Sequence, residues 1–251
     1  MRNTGYRTPR KGRLYLVFEF MDKNLLEIIK DIYPSGFPVG LQRSTLQQML
    51  RAIEHCHRHD VIHRDIKPEN VLINLSDMSL KLCDFGFSRM IPLPKRIDLT
   101  GYVGTRWYRS PERLVGCCNY GPSVDLFSIG CIMGEIVDGE PLLPGESEID
   151  QLCYIQATIG PIPNELLRTF LGNPLFFGLT ISAHQDVACL EDRYLTKLNR
   201  LGVTLMKKLV DVDPIKRIRA EIALKDAYFD DKRSRLTQGP PIKYFPSMCR
   251  A

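Results

Sequence analysis

The sequence predicts an α+β fold, mainly helical, with a little strand near its start and short β-hairpins after the first long helix. Three observations carry this. In "LQRSTLQQMLRAIEHCH", residues 41–57, the apolar residues Leu46, Met49, Leu50, Ile53 and Cys56 return every three or four positions, as one face of an amphipathic helix requires. The run "SVDLFSIGCIMGEIV", 123–137, is apolar on nearly every face and predicts a central helix buried all round. The segment "LYLVFEF", 14–20, concentrates β-branched and aromatic residues over strand length and predicts one buried strand.

The other elements follow in chain order. Short strands are predicted near 71–74 and 80–83, parted by the turn-prone "NLSDMS". Further helices are predicted near 148–158, 163–171, 196–210 and 219–227. Residues 1–13 read as a basic leader and 231–251 as a loose tail, which leaves one folded domain over 14–230. With 44% hydrophobic residues in a chain of 251, there is enough apolar material for a real core.

Composition then narrows the class. A net charge of +5 with 25% charged residues suits anionic partners but does not imply nucleic-acid binding. No stretch approaches the roughly 18 consecutive apolar residues of a membrane span, and "MRNTGYRTPRKGR" has no apolar signal core. That leader lacks acids, as transit peptides do, yet it reads as a solvated segment. The eight cysteines form no metal-type double pair, and most sit in apolar runs where a reduced thiol packs as a small hydrophobe. A reducing, intracellular setting in cytoplasm or nucleus is expected.

Chemistry concentrates in "VIHRDIKPENVLI", 61–73, and "KLCDFGF", 81–87. Asp65, Lys67 and Asn70 put a carboxylate, a cation and an amide on one short loop framed by Ile62, Ile66 and Val71. The carboxylate can accept a hydroxyl proton, the ammonium can neutralise a moving phosphoryl group, and the amide oxygen can ligate magnesium. Asp84 supplies a second hard oxygen ligand, and Gly86 lets the backbone turn directly after it. Any one of these carboxylates alone reads as a surface charge or a helix cap. In "EHCHRHD", 54–60, His55 and His59 stand one helical turn apart, but without a second ligand cluster they read as solvated imidazoles rather than a metal site. Cys83 reads as a packed strand cysteine.

Taken together, His63-Arg64-Asp65 with Asn70, then Asp84-Phe85-Gly86, then Ser110-Pro111-Glu112 resemble the signature set of eukaryotic protein kinases. The likeness spans 14–230, because Asp125 in "SVDLFSIGC" and Arg217 in "DPIKRIRA" also sit where that family's large lobe keeps them. The resemblance implies a protein-kinase-like α+β fold, a mainly helical C-terminal lobe with short β-hairpins, its N-terminal lobe largely absent from these residues. It makes Asp65 the catalytic base, sets Lys67 on the γ-phosphate, gives Asn70 and Asp84 the magnesium ions, and anchors the catalytic loop on Asp125. It also implies a buried Glu112–Arg217 ion pair, whose breakage would cost about 3 to 5 kcal/mol.

The stretch "LTGYVGTRWYRSPE", 99–112, narrows the resemblance. Thr100 and Tyr102 form a Thr-x-Tyr pair, and Arg106 and Arg109 follow the tyrosine at four and seven positions. A phosphotyrosine carries about −1.5 to −2 charge and bonds strongly to guanidinium groups. Arg64 and Arg89 are the matching candidates for a phosphate on Thr100. With "PLLPGESEIDQL", "FEFMDKNLLE" and "CDFGFSR", this resembles the cyclin-dependent and mitogen-activated group, and within it the cyclin-dependent-kinase-like family. Membership implies transfer from ATP with Mg2+ to protein Ser/Thr, usually before a proline, and an upstream activating kinase. Thr105 would brace Asp65 and Lys67, and 157–195 would be the group's insert.

A kinase of this family also carries a Gly-rich loop, a strand lysine and a helix glutamate paired with it. None occurs in these 251 residues. The resemblance leaves Phe18 at the back of the nucleotide pocket, Glu19 and Met21 as hinge contacts and Leu72 beneath the adenine. A strand at 14–20 standing alone would lack neighbours, leaving Phe18, Phe20 and Leu72 partly in water and prone to association. The expectation is a Ser/Thr kinase represented here by a shortened chain of little activity. The alternative is a non-catalytic module that binds protein partners. A regulatory subunit stays open, because the helix that would meet one is absent from the sequence.

Overall fold

The computed structural model describes residues 15–91 and 106–230. Its first residues correct one expectation. Residues 15–20 have no regular structure, and Phe18 and Phe20 are 67% and 84% exposed, so the buried strand over 14–20 does not form across the described part. Propensity alone cannot make a strand whose backbone groups have no neighbour to bond, and no other described strand reaches this segment.

Order begins at β1 (Lys23–Asn24) and α1 (Leu25–Asp31). Asn24 starts the helix with a reciprocal cap. Its side-chain oxygen accepts the Glu27 amide at 2.9 Å, and Glu27 Oε2 accepts the Asn24 amide at 2.8 Å, which satisfies two otherwise orphaned donors. The long helix α2 (Val39–Arg58) buries Leu46, Met49, Leu50 and Ile53 on one side, as their spacing predicts. It delivers the chain to β2 (Val61–Ile62), β3 (Val71–Ile73), β4 (Leu80–Leu82) and β5 (Arg89–Met90). One antiparallel sheet runs β1-β3-β4, with Val71 opposite Leu82, and a second pairs β2 with β5, with Ile62 opposite Arg89.

The rest of the described chain is helical: α3 (Pro111–Leu114), α4 (Ser123–Asp138), α5 (Glu148–Thr158), α6 (Asn164–Gly172), α7 (Leu190–Tyr194), α8 (Arg200–Leu209) and α9 (Ala220–Ala223). Every residue of α4 from Val124 to Val137 is buried, and α2 and α8 pack against it. Gly130 permits that approach, since a Cβ there would lie 2.4 Å from Val210 Cγ1. The expected helix at 196–210 starts only at Arg200, because Asn199 accepts the Gly202 amide at 2.8 Å and caps it there. The expected helix at 219–227 is shorter too. It stops at Ala223, and Asp226 opens a 3-10 turn over Ala227–Phe229. Among the described residues no helix is long and apolar enough to cross a membrane.

Candidate active site

The buried helix α4 positions the loop between β2 and β3. Asp125 is fully buried, and its Oδ2 and Oδ1 accept the backbone amides of His63 at 2.9 Å and Arg64 at 2.8 Å. Two amide bonds from one carboxylate fix the backbone where Arg64 takes a φ of 72°, a conformation that costs a non-glycine residue about 1 to 3 kcal/mol. A third ligand of Asp125 is His57 on α2, with Nε2 2.8 Å from Oδ2. Sequence reasoning passed over His57 within "EHCHRHD". The usable signal was its place four residues after the buried Ile53, on the inward face of α2. Its neighbours differ, for His55 and His59 stack at 4.4 Å and His59 Nδ1 meets the His55 carbonyl.

The loop residues converge on Asp65, which is 8% exposed. Lys67 Nζ lies 3.2 Å from Asp65 Oδ2, and Asn70 Nδ2 donates to the same oxygen at 3.0 Å and to the Asp65 carbonyl at 2.8 Å. Orienting the Asn70 amide nitrogen inward leaves its oxygen for another ligand. Pro68–Asn70 form a single 3-10 turn, which brings residues 65, 67 and 70 onto one side of so short a loop.

The second stretch is tied to the first. His63 is buried and its Nε2 meets the Cys83 carbonyl at 3.0 Å, while its ring stands edge-on to Phe85 at 4.7 Å. The Cys83 amide donates to the Asn70 carbonyl at 3.0 Å. These contacts place Asp84 beside the loop, with φ 59° and Oδ1 accepting the Gly86 amide at 3.2 Å. Burial pushes the Cys83 thiol up, so it behaves as a packed thiol rather than a reactive one.

Nucleotide-facing residues are placed less completely. Phe18 stands in water, which corrects its expected place at the back of a pocket, for the reason given for residues 15–20. Glu19 is also exposed, and its carboxylate lies 3.4 Å from Lys81 Nζ. Met21 and Leu72 are half-buried, and Leu72 sits on β3 opposite Asn24 and Lys81.

Thr100, Tyr102 and Thr105 lie outside the described residues. Of the arginines expected to meet their phosphates, Arg64 lies over the Tyr120 ring at 5.7 Å, and the exposed Arg89 donates to the Ser88 carbonyl. Arg106 and Arg109 both turn to Glu148. Beyond them Arg217 grips Glu112 through two bonds, 2.7 Å and 3.0 Å, with both side chains buried.

Sequence reasoning also missed a buried acid behind the loop. Tyr108 donates to Glu135 Oε2 at 2.6 Å, and burial, with Glu69 adding its charge against the relief from Tyr108, pushes the Glu135 carboxyl up to about 7. A carboxyl that holds its proton more tightly when folded stabilises the fold below its ordinary value and loses that contribution as pH rises through the folded one. Stability is therefore expected to fall by roughly 3 kcal/mol between pH 4.5 and pH 8 on this account. Urea melts of Glu135→Gln, which keeps an acceptor for Tyr108, should lack that decline.

Comparison with known proteins gives this geometry its family. The model of the protein kinase domain matches residues 5–229. The chain belongs to the protein kinase family. Among curated kinases it is similar to cyclin-dependent kinase-like 5 of Homo sapiens, 49% identical over 224 residues that cover 89% of this chain and 23% of the relative. It is 44% identical to cyclin-dependent kinase-like 2 of Rattus norvegicus, covering 83% of this chain and 41% of the relative. For cyclin-dependent kinase-like 4 of Mus musculus the identity is 40%, with 88% and 63% covered. The chain thus spans less than two thirds of the length of each of these relatives. The kinase family uses ATP and Mg2+ and acts on proteins.

Proposed function

We propose that this kinase domain carries the phosphoryl-transfer site of a cyclin-dependent-kinase-like Ser/Thr protein kinase, moving the γ-phosphate of ATP to Ser and Thr hydroxyls of proteins, with a preference for a following proline. The observation that supports this most is the convergence of Lys67 and Asn70 on one oxygen of a buried Asp65. Asp65 accepts the proton of the substrate hydroxyl, its carboxylate held by Asn70 in the one orientation that meets an incoming group. Lys67 offsets negative charge where the phosphoryl group passes. Magnesium takes hard oxygen donors, and the Asn70 amide oxygen, left over when its nitrogen donates to Asp65, and the exposed Asp84 carboxylate fit that need. Bound Mg-ATP supplies the transferable phosphoryl group and neutralises its charge.

An upstream kinase acting on Thr100 and Tyr102 belongs to the same proposal, as does a setting in cytoplasm or nucleus, supported by the free cysteines among the described residues. The 251 residues contain no Gly-rich loop and no strand lysine. By themselves they are proposed to transfer phosphate poorly, and an activity test needs a small lobe, supplied by fusing that of a cyclin-dependent-kinase-like relative ahead of Tyr15. Phosphoamino-acid analysis of a protein mixture labelled by this chimera should give phosphoserine and phosphothreonine. Labelling confined to tyrosine would contradict the Ser/Thr assignment.

A further inference from the structure

Asp65 follows Arg64, whose φ of 72° is left-handed, so the peptide unit joining the two sets where the Asp65 carboxylate points. Asp125 holds the amides before that unit, those of His63 and Arg64. The unit itself, made of the Arg64 carbonyl and the Asp65 amide, is held from elsewhere. Its amide lies 3.4 Å from His63 Nδ1, longer than the roughly 2.7 to 3.2 Å of an ordinary hydrogen bond. Its carbonyl oxygen accepts Arg113 Nη1 at 2.6 Å, a short bond from a charged donor and therefore a strong one.

The surroundings of Arg113 keep the guanidinium in place. Arg113 stands on α3 next to Glu112, which Arg217 grips through two bonds, so the short helix that carries it is tied into the core. Its guanidinium lies over the ring of the buried Tyr120 at 5.7 Å, within the range at which a cation is drawn to a ring face. Arg113 and Asp65 line one small recess together with Lys67 and Tyr108.

We propose that Arg113 is a positioning residue for phosphoryl transfer. By holding the Arg64 carbonyl it fixes the peptide plane from which Asp65 projects, and so keeps the carboxylate aimed at the substrate hydroxyl. Lys67 and Asn70 hold the Asp65 side chain from within the loop, whereas Arg113 acts on its backbone from 49 positions away along the chain. Aim matters because a displacement of about 1 Å at a reacting group can cost on the order of 10²-fold in rate. The inference rests on the reading of Asp65 as the proton acceptor and deepens it, because it names what orients that residue.

The test has two arms, both comparing the parent with Arg113→Met, which keeps an unbranched stem and removes the donors. In the full 251-residue chain, NMR follows backbone amide exchange. The Asp65 amide belongs to the freed peptide unit and should exchange about tenfold faster, the lower end of what a hydrogen bond from a charged group contributes. The Arg64 amide, held by Asp125, should keep its rate. In the small-lobe chimera, kcat should fall about tenfold while KM for ATP and for the protein substrate stays put, the pattern of an interaction that serves the transition state alone.

Unchanged exchange at Asp65 would overturn the proposal, and so would equal acceleration of the Asp65 and Arg64 amides, which is what a purely structural role gives. An unmoved kcat, or a change confined to KM, would overturn it as well. The exchange arm needs no transfer and separates the two readings. If the Asp65→Asn chimera collapses while Arg113→Met keeps its kcat, the positioning role alone is lost. If Asp65→Asn keeps its turnover, the base is lost, and the exchange result still reports what holds the loop.

Discussion

Asp65→Asn is expected to lower phosphate transfer by the small-lobe chimera by at least about 10²-fold, the lower end of what a positioned general base contributes. The substitution keeps the shape of the side chain and an oxygen for Asn70 Nδ2, which lies 3.0 Å away, but it removes the group that takes the substrate proton. Asp125 anchors the loop through the His63 and Arg64 amides, so the backbone does not depend on the charge at 65. The melting temperature should therefore stay within a degree or two while turnover collapses. Initial rates with radiolabelled ATP check this, and near-normal turnover in Asp65→Asn would remove the residue from the proton transfer.

The second large effect is on stability. Arg217→Met should cost about 3 to 5 kcal/mol, because it strands the Glu112 carboxylate in a site where both side chains are buried. Glu112 sits in the first turn of α3, and Arg217 also donates to the Asp211 and Ser123 carbonyls. The pair therefore ties α3 to the start of α4 and to the loop after α8. For a domain of this size the loss corresponds to roughly 6 to 20 °C in melting temperature. Adding Glu112→Leu should recover part of it, since the buried charge is then gone. Calorimetry of the two variants distinguishes a stranded charge, which the second substitution relieves, from lost packing, which it deepens.

Local pattern made the elements that bury one face legible in the sequence. The helix α4 was readable because an apolar run longer than a strand has one stable home, the centre of the core, and α2 because its apolar residues repeat with the helical period. The reading failed at residues 15–20 for the complementary reason: β-branched and aromatic residues favour a strand only where another strand accepts its hydrogen bonds. In the active site, Asp65, Lys67, Asn70 and Asp84 were legible because they lie close together along the chain. His57 and Glu148 were not, since each acts through a partner more than 35 positions away, Asp125 for one and Arg106 for the other. Nothing in the local sequence around either residue names that partner. Glu135 was hidden differently, as a second buried acid beside Asp125 in the apolar helix α4, where only the position of the Tyr108 hydroxyl reveals what it does.

The central claim is that Asp65, Lys67, Asn70 and Asp84 act as one metal-dependent phosphoryl-transfer site, and its most direct test is the magnesium dependence of transfer in the chimera before and after Asp84→Asn. Asp84 is exposed, and among the described residues its side chain accepts the amide of the equally exposed Gly86, so the variant should fold as the parent does. The account predicts magnesium-dependent labelling of Ser and Thr by the parent, and for the variant a loss of at least about 10²-fold, consistent with removal of a group that stabilises transition-state charge. Labelling by Asp84→Asn at the parent's rate and with the parent's magnesium dependence would contradict it.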